Sequence, residues 1–366
     1  MTADVLDRVR AFTARELTGQ HDRLDIPGAL PLDLSRRLHA AGLLHWWLPE
    51  PDGGLGASIE QSVDVVSELA YGDAGIAFTF LVPLTGTLLV SLYGSPDLYK
   101  QHVLPMAASG GCCALAFSEH EAGSELDRTA TLAEHRGAEI VLNGTKAFST
   151  NADFADFLLV LARDAASDAD ASSFHTLLVP RNSPGLQVDK RWPVIGLRAS
   201  ATYQLSFNDC RIPAENALNG PGIRVLEAGV NSARILIGAM ALGIARRIRD
   251  LCMDYAATKP LAGTGLLDNP VFAAKLGQME MEIDVMRNQC RGTLRSALGA
   301  KMFCGQTGWQ IATVGSQIFG GLGYTTTLPM AKLLRDIRLV SIGDGGDDVL
   351  RQLLYNRYVL PAFRRV

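Results

Sequence analysis

The sequence predicts an α+β chain in three stretches: helices to about residue 110, β structure from 111 to 218, and helices again from 219 onward. Three observations carry this. Apolar residues recur at helical spacing in the outer stretches, the period falls to two in the middle one, and turn residues gather between periodic runs. With 366 residues, the chain is long enough for two or three domains around a sizeable core.

The opening run "MTADVLDRVRAFTAREL" reads as an amphipathic helix with mixed charges, and it lacks a signal-peptide layout. "PLDLSRRLHAAGLL" and "IEQSVDVVSELAYGDAG" follow as helices around the Pro/Gly-rich loop "PEPDGGLG" (49–56). Residues 75–94, "GIAFTFLVPLTGTLLVSLYG", are long enough to span a bilayer. Pro83, internal polar residues and the lack of flanking bases favour two buried helical segments meeting near the proline. In the middle stretch "AEIVLNGTKAFST" predicts a hairpin turning at Asn143-Gly144. The runs "FADFLLVLAR", "SSFHTLLVPR" and "ATYQLSFNDCRIP" predict strands, with "DAASDADASS" (164–173) as a solvated loop. Beyond 219, Leu236, Met240, Ile244, Ile248, Leu251 and Tyr255 mark one helical stripe. Phe272, Leu276, Met279, Ile283, Met286, Cys290 and Leu294 mark another. Faces this wide predict a helical bundle, open to sharing between subunits.

Composition excludes some classes. Hydrophobic residues make up 48% and charged residues 20%, as in an ordinary soluble enzyme, and a net charge of −4 offers no basic surface for nucleic acid. Six cysteines stand at 112, 113, 210, 252, 290 and 304, with no CxxC pair and no His/Cys cluster in the sequence. No metal is therefore expected, and reduced thiols point to the cytoplasm. No Rossmann glycine fingerprint or Walker A sequence occurs.

The stretch "IGDGGDD" (342–348) poses the functional question. Asp344 sits between glycines, just ahead of the apolar run Val349, Leu350, Leu353 and Leu354. It either caps that helix, with Asp347 as the third residue on, or does chemistry. On residue physics alone, capping is favoured.

Four motifs in order change that balance: "FSEHEAGSE" (117–125), "LNGTKAFSTN" (142–151), "QIFGGLGYTTTLPMAKLLRDIR" (317–338) and the stretch around Asp344. Together they resemble the acyl-CoA dehydrogenase superfamily over nearly the whole chain. The resemblance implies an N-terminal α-helical domain (1–110), a middle β-barrel or sandwich domain (111–218) and a C-terminal four-helix bundle (219–366). It also implies FAD, a homodimer or homotetramer, an acyl-thioester substrate and an electron acceptor such as an electron-transfer flavoprotein. Phe117, Ser118 and Ser124 then match residues that meet the flavin or its phosphates. Phe148 replaces a Trp against the isoalloxazine, and Thr150 matches the hydroxyl near N5. Gln317, Gly320 and Gly321 match a stretch along the adenosine diphosphate moiety across a subunit boundary. Lys259 replaces an Arg that reaches FAD phosphate, Ala262 a Phe, His120 a Pro, and Gly346 a Thr that meets FAD. Arg335 and Asp336 are expected to form a structural ion pair.

In this family a carboxylate removes a proton from the carbon beside the thioester carbonyl, and the next carbon gives hydride to flavin N5. Ala233, before Arg234, stands at the alternative base position, which leaves Asp344 as the base. Asp347 and Asp348 are then expected to satisfy the helix N-terminus. Leu115, Arg234 and Gly343 are expected in the substrate pocket. Asp is one methylene shorter than the usual Glu, and Gly343 replaces a bulky Tyr. Both changes fit a compact, polar substrate. The chain also resembles a biosynthetic branch acting on acyl carrier protein, in pathways to hydroxymalonyl or methoxymalonyl polyketide extender units. Two alternatives remain at this stage: a nitroalkane-oxidase-like flavin oxidase that uses Asp344, and a non-catalytic flavin-binding module.

Overall fold

A computed structural model describes residues 3–28, 32–167, 173–261, 264–291 and 297–363. Among the described residues, seven α-helices lead the chain: α1 (Ala3–Glu16), α2 (His21–Leu24), α3 (Leu32–Ala40), α4 (Ile59–Gly72), α5 (Ala74–Tyr93), α6 (Pro96–Leu98) and α7 (Leu104–Ser109). Seven strands follow: β1 (Cys113–Ala116), β2 (Leu132–Arg136), β3 (Glu139–Thr150), β4 (Phe157–Asp164), β5 (Phe174–Pro180), β6 (Leu186–Arg191) and β7 (Thr202–Pro213). The chain then forms α8 (Gly222–Thr258), the short pair β8 (Pro260–Leu261) and β9 (Thr264–Gly265), α9 (Pro270–Cys290), α10 (Ala297–Ile318), α11 (Met330–Asp336), α12 (Asp347–Leu354) and α13 (Leu360–Phe363). This is the expected order of helices, strands and helices. Leu294 and Ala262 lie outside the described residues.

The first and last helical stretches share one core. Val63, Val66 and Leu69 of α4 pack in the same buried cluster as Leu236, Met240 and Ile244 of α8 and Met279, Ile283 and Met286 of α9. Close approach of α4 and α8 requires Gly243, because a Cβ there would lie 2.2 Å from the Ser67 carbonyl oxygen. The β strands keep a separate core of alternating inward residues, among them Leu142, Leu158, Val160, Leu205 and Phe207. Their sheet runs β1-β4-β2-β3-β7-β6, with β5 on β4. All six cysteines are buried and free.

Two expectations are corrected here. The hairpin does not turn at Asn143-Gly144. β3 runs unbroken through both residues, and the chain turns earlier, at Gly137 (φ 65°), between β2 and β3. Gly144 (φ 148°) instead lies at a register shift against β7, close against Thr131, where a Cβ would lie 2.6 Å from the Thr131 Cα. The other correction concerns Pro83, which sits inside a single helix, α5, and does not separate two. A proline lacks the N–H that would bond the carbonyl four residues earlier, here Thr79. Asn151 replaces that donor: its Nδ2 gives a 2.9 Å hydrogen bond to the Thr79 oxygen. α5 and α8 are each long and apolar enough to cross a membrane, but both lie mostly within the protein interior.

The Asn151 bond joins the end of β3 to the helical body, and it makes a testable prediction. Asn151→Ala removes the donor and leaves a buried carbonyl unpaired, at a cost of about 1–3 kcal/mol. Adding Pro83→Ala returns a helical N–H to Thr79, so thermal melting of the double variant should recover part of the loss. Additive destabilisation by the two substitutions would contradict this pairing.

Candidate active site

The β side of the site is assembled by motifs one and two. The Ala147 amide donates to the Ser118 oxygen (2.9 Å), tying the loop after β1 to β3. Lys146 and Glu119, both buried, form an ion pair at 2.7 Å, and Lys146 also donates to the Phe117 carbonyl at 3.0 Å. Glu119 accepts further bonds from the Thr131 hydroxyl (2.6 Å) and the Ala130 (2.7 Å) and Thr131 (3.0 Å) amides. Burial raises the Glu119 carboxyl, but Lys146 and these donors outweigh it and hold it below its ordinary value. Burial lowers Lys146 to about 8. This network shapes the loop carrying Phe117 and Ser118. Sequence alone does not disclose the Glu119–Lys146 pairing; its one signal is a charged residue in each of motifs one and two.

On this frame, Phe148 is 56% exposed, an unusual place for a large apolar ring on a strand, and leans on Trp192 at 5.1 Å between centroids. The Trp192 indole N–H donates to the Ala147 carbonyl. His120, where the family pattern has Pro, meets the Trp192 edge and Gln204. The Thr150 hydroxyl is buried and shares a 3.1 Å hydrogen bond with Thr202. Ser118 is half-buried and Ser124 exposed, and neither hydroxyl bonds another of the described residues. Leu115 on β1 is half-buried beside Phe117, against the core between α5 and the sheet.

The helical side centres on Asp344. Arg234, only 7% exposed in the middle of α8, donates through Nε to the Asp344 carbonyl at 2.9 Å and through Nη1 to Asn231 at 3.0 Å. Lys301 of α10, fully buried, donates to the next carbonyl, Gly345, at 2.6 Å and meets Asp347 at 3.4 Å. Asp344 (φ 51°) and Gly345 (φ 98°) both adopt the left-handed conformation, which Asp and Gly tolerate best in turns. The two cations thus grip consecutive backbone carbonyls, and the Asp344 carboxylate forms no hydrogen bond among the described residues. Burial raises its pKa from the ordinary carboxylate value, against the opposing pull of Arg234 and then Lys301.

The capping reading fails. The N-cap of α12 is Gly346, with no side-chain cap. Asp347 and Asp348 do not cap either, contrary to expectation: they occupy the first turn, where Asp347 faces Lys301 and Gln306 and Asp348 faces Arg351. Arg335 and Asp336 are structural, as expected, but not partners of each other. Arg335 binds Asp25 and the Ile195 carbonyl, while Asp336 binds Lys332 and accepts the Leu197 amide.

Lys259, Gln317, Gly320 and Gly321 do not join Asp344 within one chain. Lys259 follows the end of α8, 25 residues beyond Arg234, or roughly 38 Å along a helix. There it lies 5.7 Å from the Tyr255 ring, which packs on Phe319. Gln317 stands next to last in α10, 16 residues or roughly 24 Å along the helix from Lys301; Gly320 (φ 58°) and Gly321 beyond it present bare backbone, and the neighbouring Tyr324 is 96% exposed.

With this geometry in place, comparison with known proteins is decisive. Residues 2–111, 114–210 and 220–359 match, in order, the N-terminal, middle and C-terminal domains of the acyl-CoA dehydrogenases. The chain belongs to the acyl-CoA dehydrogenase family. The chain is 28% identical over 364 residues to the probable acyl-CoA dehydrogenase YngJ of Bacillus subtilis, covering 96% of each chain. Its fold superposes on butyryl-CoA dehydrogenase from Megasphaera elsdenii with a TM-score of 0.93, at 25% identity and over 98% and 99% of the two chains. A glutaryl-CoA dehydrogenase from Mycobacterium smegmatis, solved with FADH2, shares the fold at 23% identity and a TM-score of 0.88, over 97% and 94%. The protein is an FAD-dependent oxidoreductase acting on acyl thioesters. The residues present fit the cofactor. Phe148 offers an aromatic face, Ser118 and Ser124 carry uncommitted hydroxyls, and Gly320, Gly321 and Gly346 leave open space where a Cβ would stand.

The clamp on the Asp344 loop is testable. Lys301→Met removes a cation that lowers the Asp344 pKa, so the acid limb of kcat/KM should move to higher pH. It also frees the Gly345 carbonyl, so kcat should fall at least about tenfold. An unshifted limb with unchanged kcat would contradict a link between Lys301, Asp344 and the reaction.

Proposed function

We propose that this enzyme oxidises a small acyl thioester carried on acyl carrier protein, with Asp344 as the base. One observation carries the assignment of the base: its backbone is held by Arg234 and Lys301 while its carboxylate is left unbonded and its pKa raised. A raised pKa is what a carboxyl needs to accept a proton from carbon. The carboxylate would take the proton on the carbon beside the thioester carbonyl. Bound FAD supplies the acceptor for the hydride leaving the neighbouring carbon.

Phe148 is assigned to the face of the ring system and Thr150 to its reacting edge, with Phe117, Ser118 and Ser124 on the flavin and its phosphates. Gly346 is assigned to the cofactor beside the base. Lys259, Gln317, Gly320 and Gly321 are assigned to the adenosine diphosphate end of FAD in a neighbouring subunit, which the long separation along α8 favours and which requires a homo-oligomer. Leu115, Arg234 and Gly343 are assigned to the substrate pocket.

Gly343 supports a compact polar substrate. Its φ is not left-handed, and a Cβ there would make only ordinary contacts of 3.4 Å or more with Leu339. The fold does not demand glycine at 343, so its smallness serves space beside the base. The resemblance to carrier-protein-acting dehydrogenases of extender-unit biosynthesis supports a three-carbon oxygenated acyl group. An electron-transfer flavoprotein is the proposed electron acceptor, and the cytoplasm the proposed location.

Anaerobic bleaching of the flavin tests the reading. A glyceryl thioester on carrier protein should bleach it faster than the coenzyme A ester of a plain fatty acid. Asp344→Asn should retain FAD and slow bleaching by about a thousandfold. Undiminished bleaching in that variant would remove Asp344 as the base. Preference for the coenzyme A ester would remove the carrier protein, and rapid bleaching by nitroethane would favour a nitroalkane oxidase.

A further inference from the structure

Outside the active site, His135, Asp164 and His175 converge from three strands. Each offers a ligand atom, and these atoms all lie within 4.8 Å of one another. Strand register explains the convergence. Ala133 pairs with Asp164 across the parallel β2–β4 contact, and His135 lies two residues further along β2 on the same face. Ala162 pairs with His175 across β4–β5, and Asp164 lies two residues beyond Ala162 on that face. Separations of 29 and 11 residues hide the cluster from any spacing rule.

The arrangement is partly built. Among the described residues, His175 Nε2 is buried without a hydrogen-bond partner, and it lies 3.5 Å from an Asp164 oxygen. The His135 and His175 rings meet edge to face at 5.3 Å. Asp164 is held by the Ala166 amide at 2.9 Å, and that bond, with the two imidazoles, keeps its carboxyl below the ordinary value. The His175 backbone is fixed by the start of α8, where a Cβ on Gly222 would lie 2.7 Å from it.

We infer that His135, Asp164 and His175 bind a divalent transition-metal ion, Zn2+ being the fitting probe. Two imidazoles and one carboxylate are a borderline donor set that suits zinc over magnesium or calcium. Bonds of about 2.1 Å set tetrahedral ligands roughly 3.4 Å apart, within reach of small side-chain rotations. The ion braces the sheet where it is weakest, because β2 and β4 share only two paired positions, Leu132↔Arg163 and Ala133↔Asp164. It lies far from the surface assigned to the flavin: His135 pairs with Ile140, ten residues or roughly 33 Å along β3 from Thr150. The role is therefore structural.

The test uses the FAD-loaded enzyme after dialysis against chelator, titrated with zinc chloride by calorimetry and followed by thermal melting. One zinc equivalent per chain should bind and raise Tm, with magnesium without effect. His135→Gln and Asp164→Asn should each weaken that binding more than tenfold, while melting without zinc changes little in His135→Gln because His135 is exposed. Absence of zinc-dependent heat and of any Tm shift in the wild type overturns the site. So does zinc affinity equal to the wild type's in both variants.

Discussion

Two buried cations on consecutive carbonyls are the constraint on which the active site depends. A non-glycine residue at φ 51° costs about 1–2 kcal/mol. Hydrogen bonds from charged donors contribute about 1.5–3 kcal/mol each, enough for Arg234 and Lys301 to hold Asp344 and Gly345 in this conformation. Because both bonds go to the backbone, the side chain is fixed in place without being consumed. The same cations limit how far burial can raise the Asp344 pKa.

The β side solves a similar problem with different parts. Lys146 and Glu119 neutralise each other in the interior and bond three backbone groups around them. Breaking such a buried pair strands a charge, which costs more than the intact pair stabilises. Asn151 then links the end of β3 to α5 by serving a carbonyl that Pro83 leaves without its helical donor. Phe148 and Thr150 stand between these anchors, so the surface assigned to the flavin is held at both ends.

Much of this was legible in the sequence. Periodicity gave the three stretches, because both helical ends and the sheet bury one face at a regular interval. The four motifs gave the family. What failed was local. Asn143-Gly144 has the composition of a hairpin turn, but the close approach of Thr131 and the pairing with β7 turned it into a strand irregularity. Pro83 reads as a break because sequence cannot show a donor 68 residues away. Asp344 has the position of a cap, and only the tertiary grip of Arg234 and Lys301 reverses that. Lys301 carried no motif and was missed altogether. His135, Asp164 and His175 are neighbours only through strand register.

The most direct measurement is a crystal structure of the FAD-bound enzyme resolved well enough to fix the backbone at 343–347. The account predicts Asp344 in the left-handed region, its carbonyl on Arg234, the Gly345 carbonyl on Lys301, and its carboxylate free of protein donors and turned to the flavin. Asp344 at negative φ, with its carboxylate on the amides at the start of α12, would contradict it.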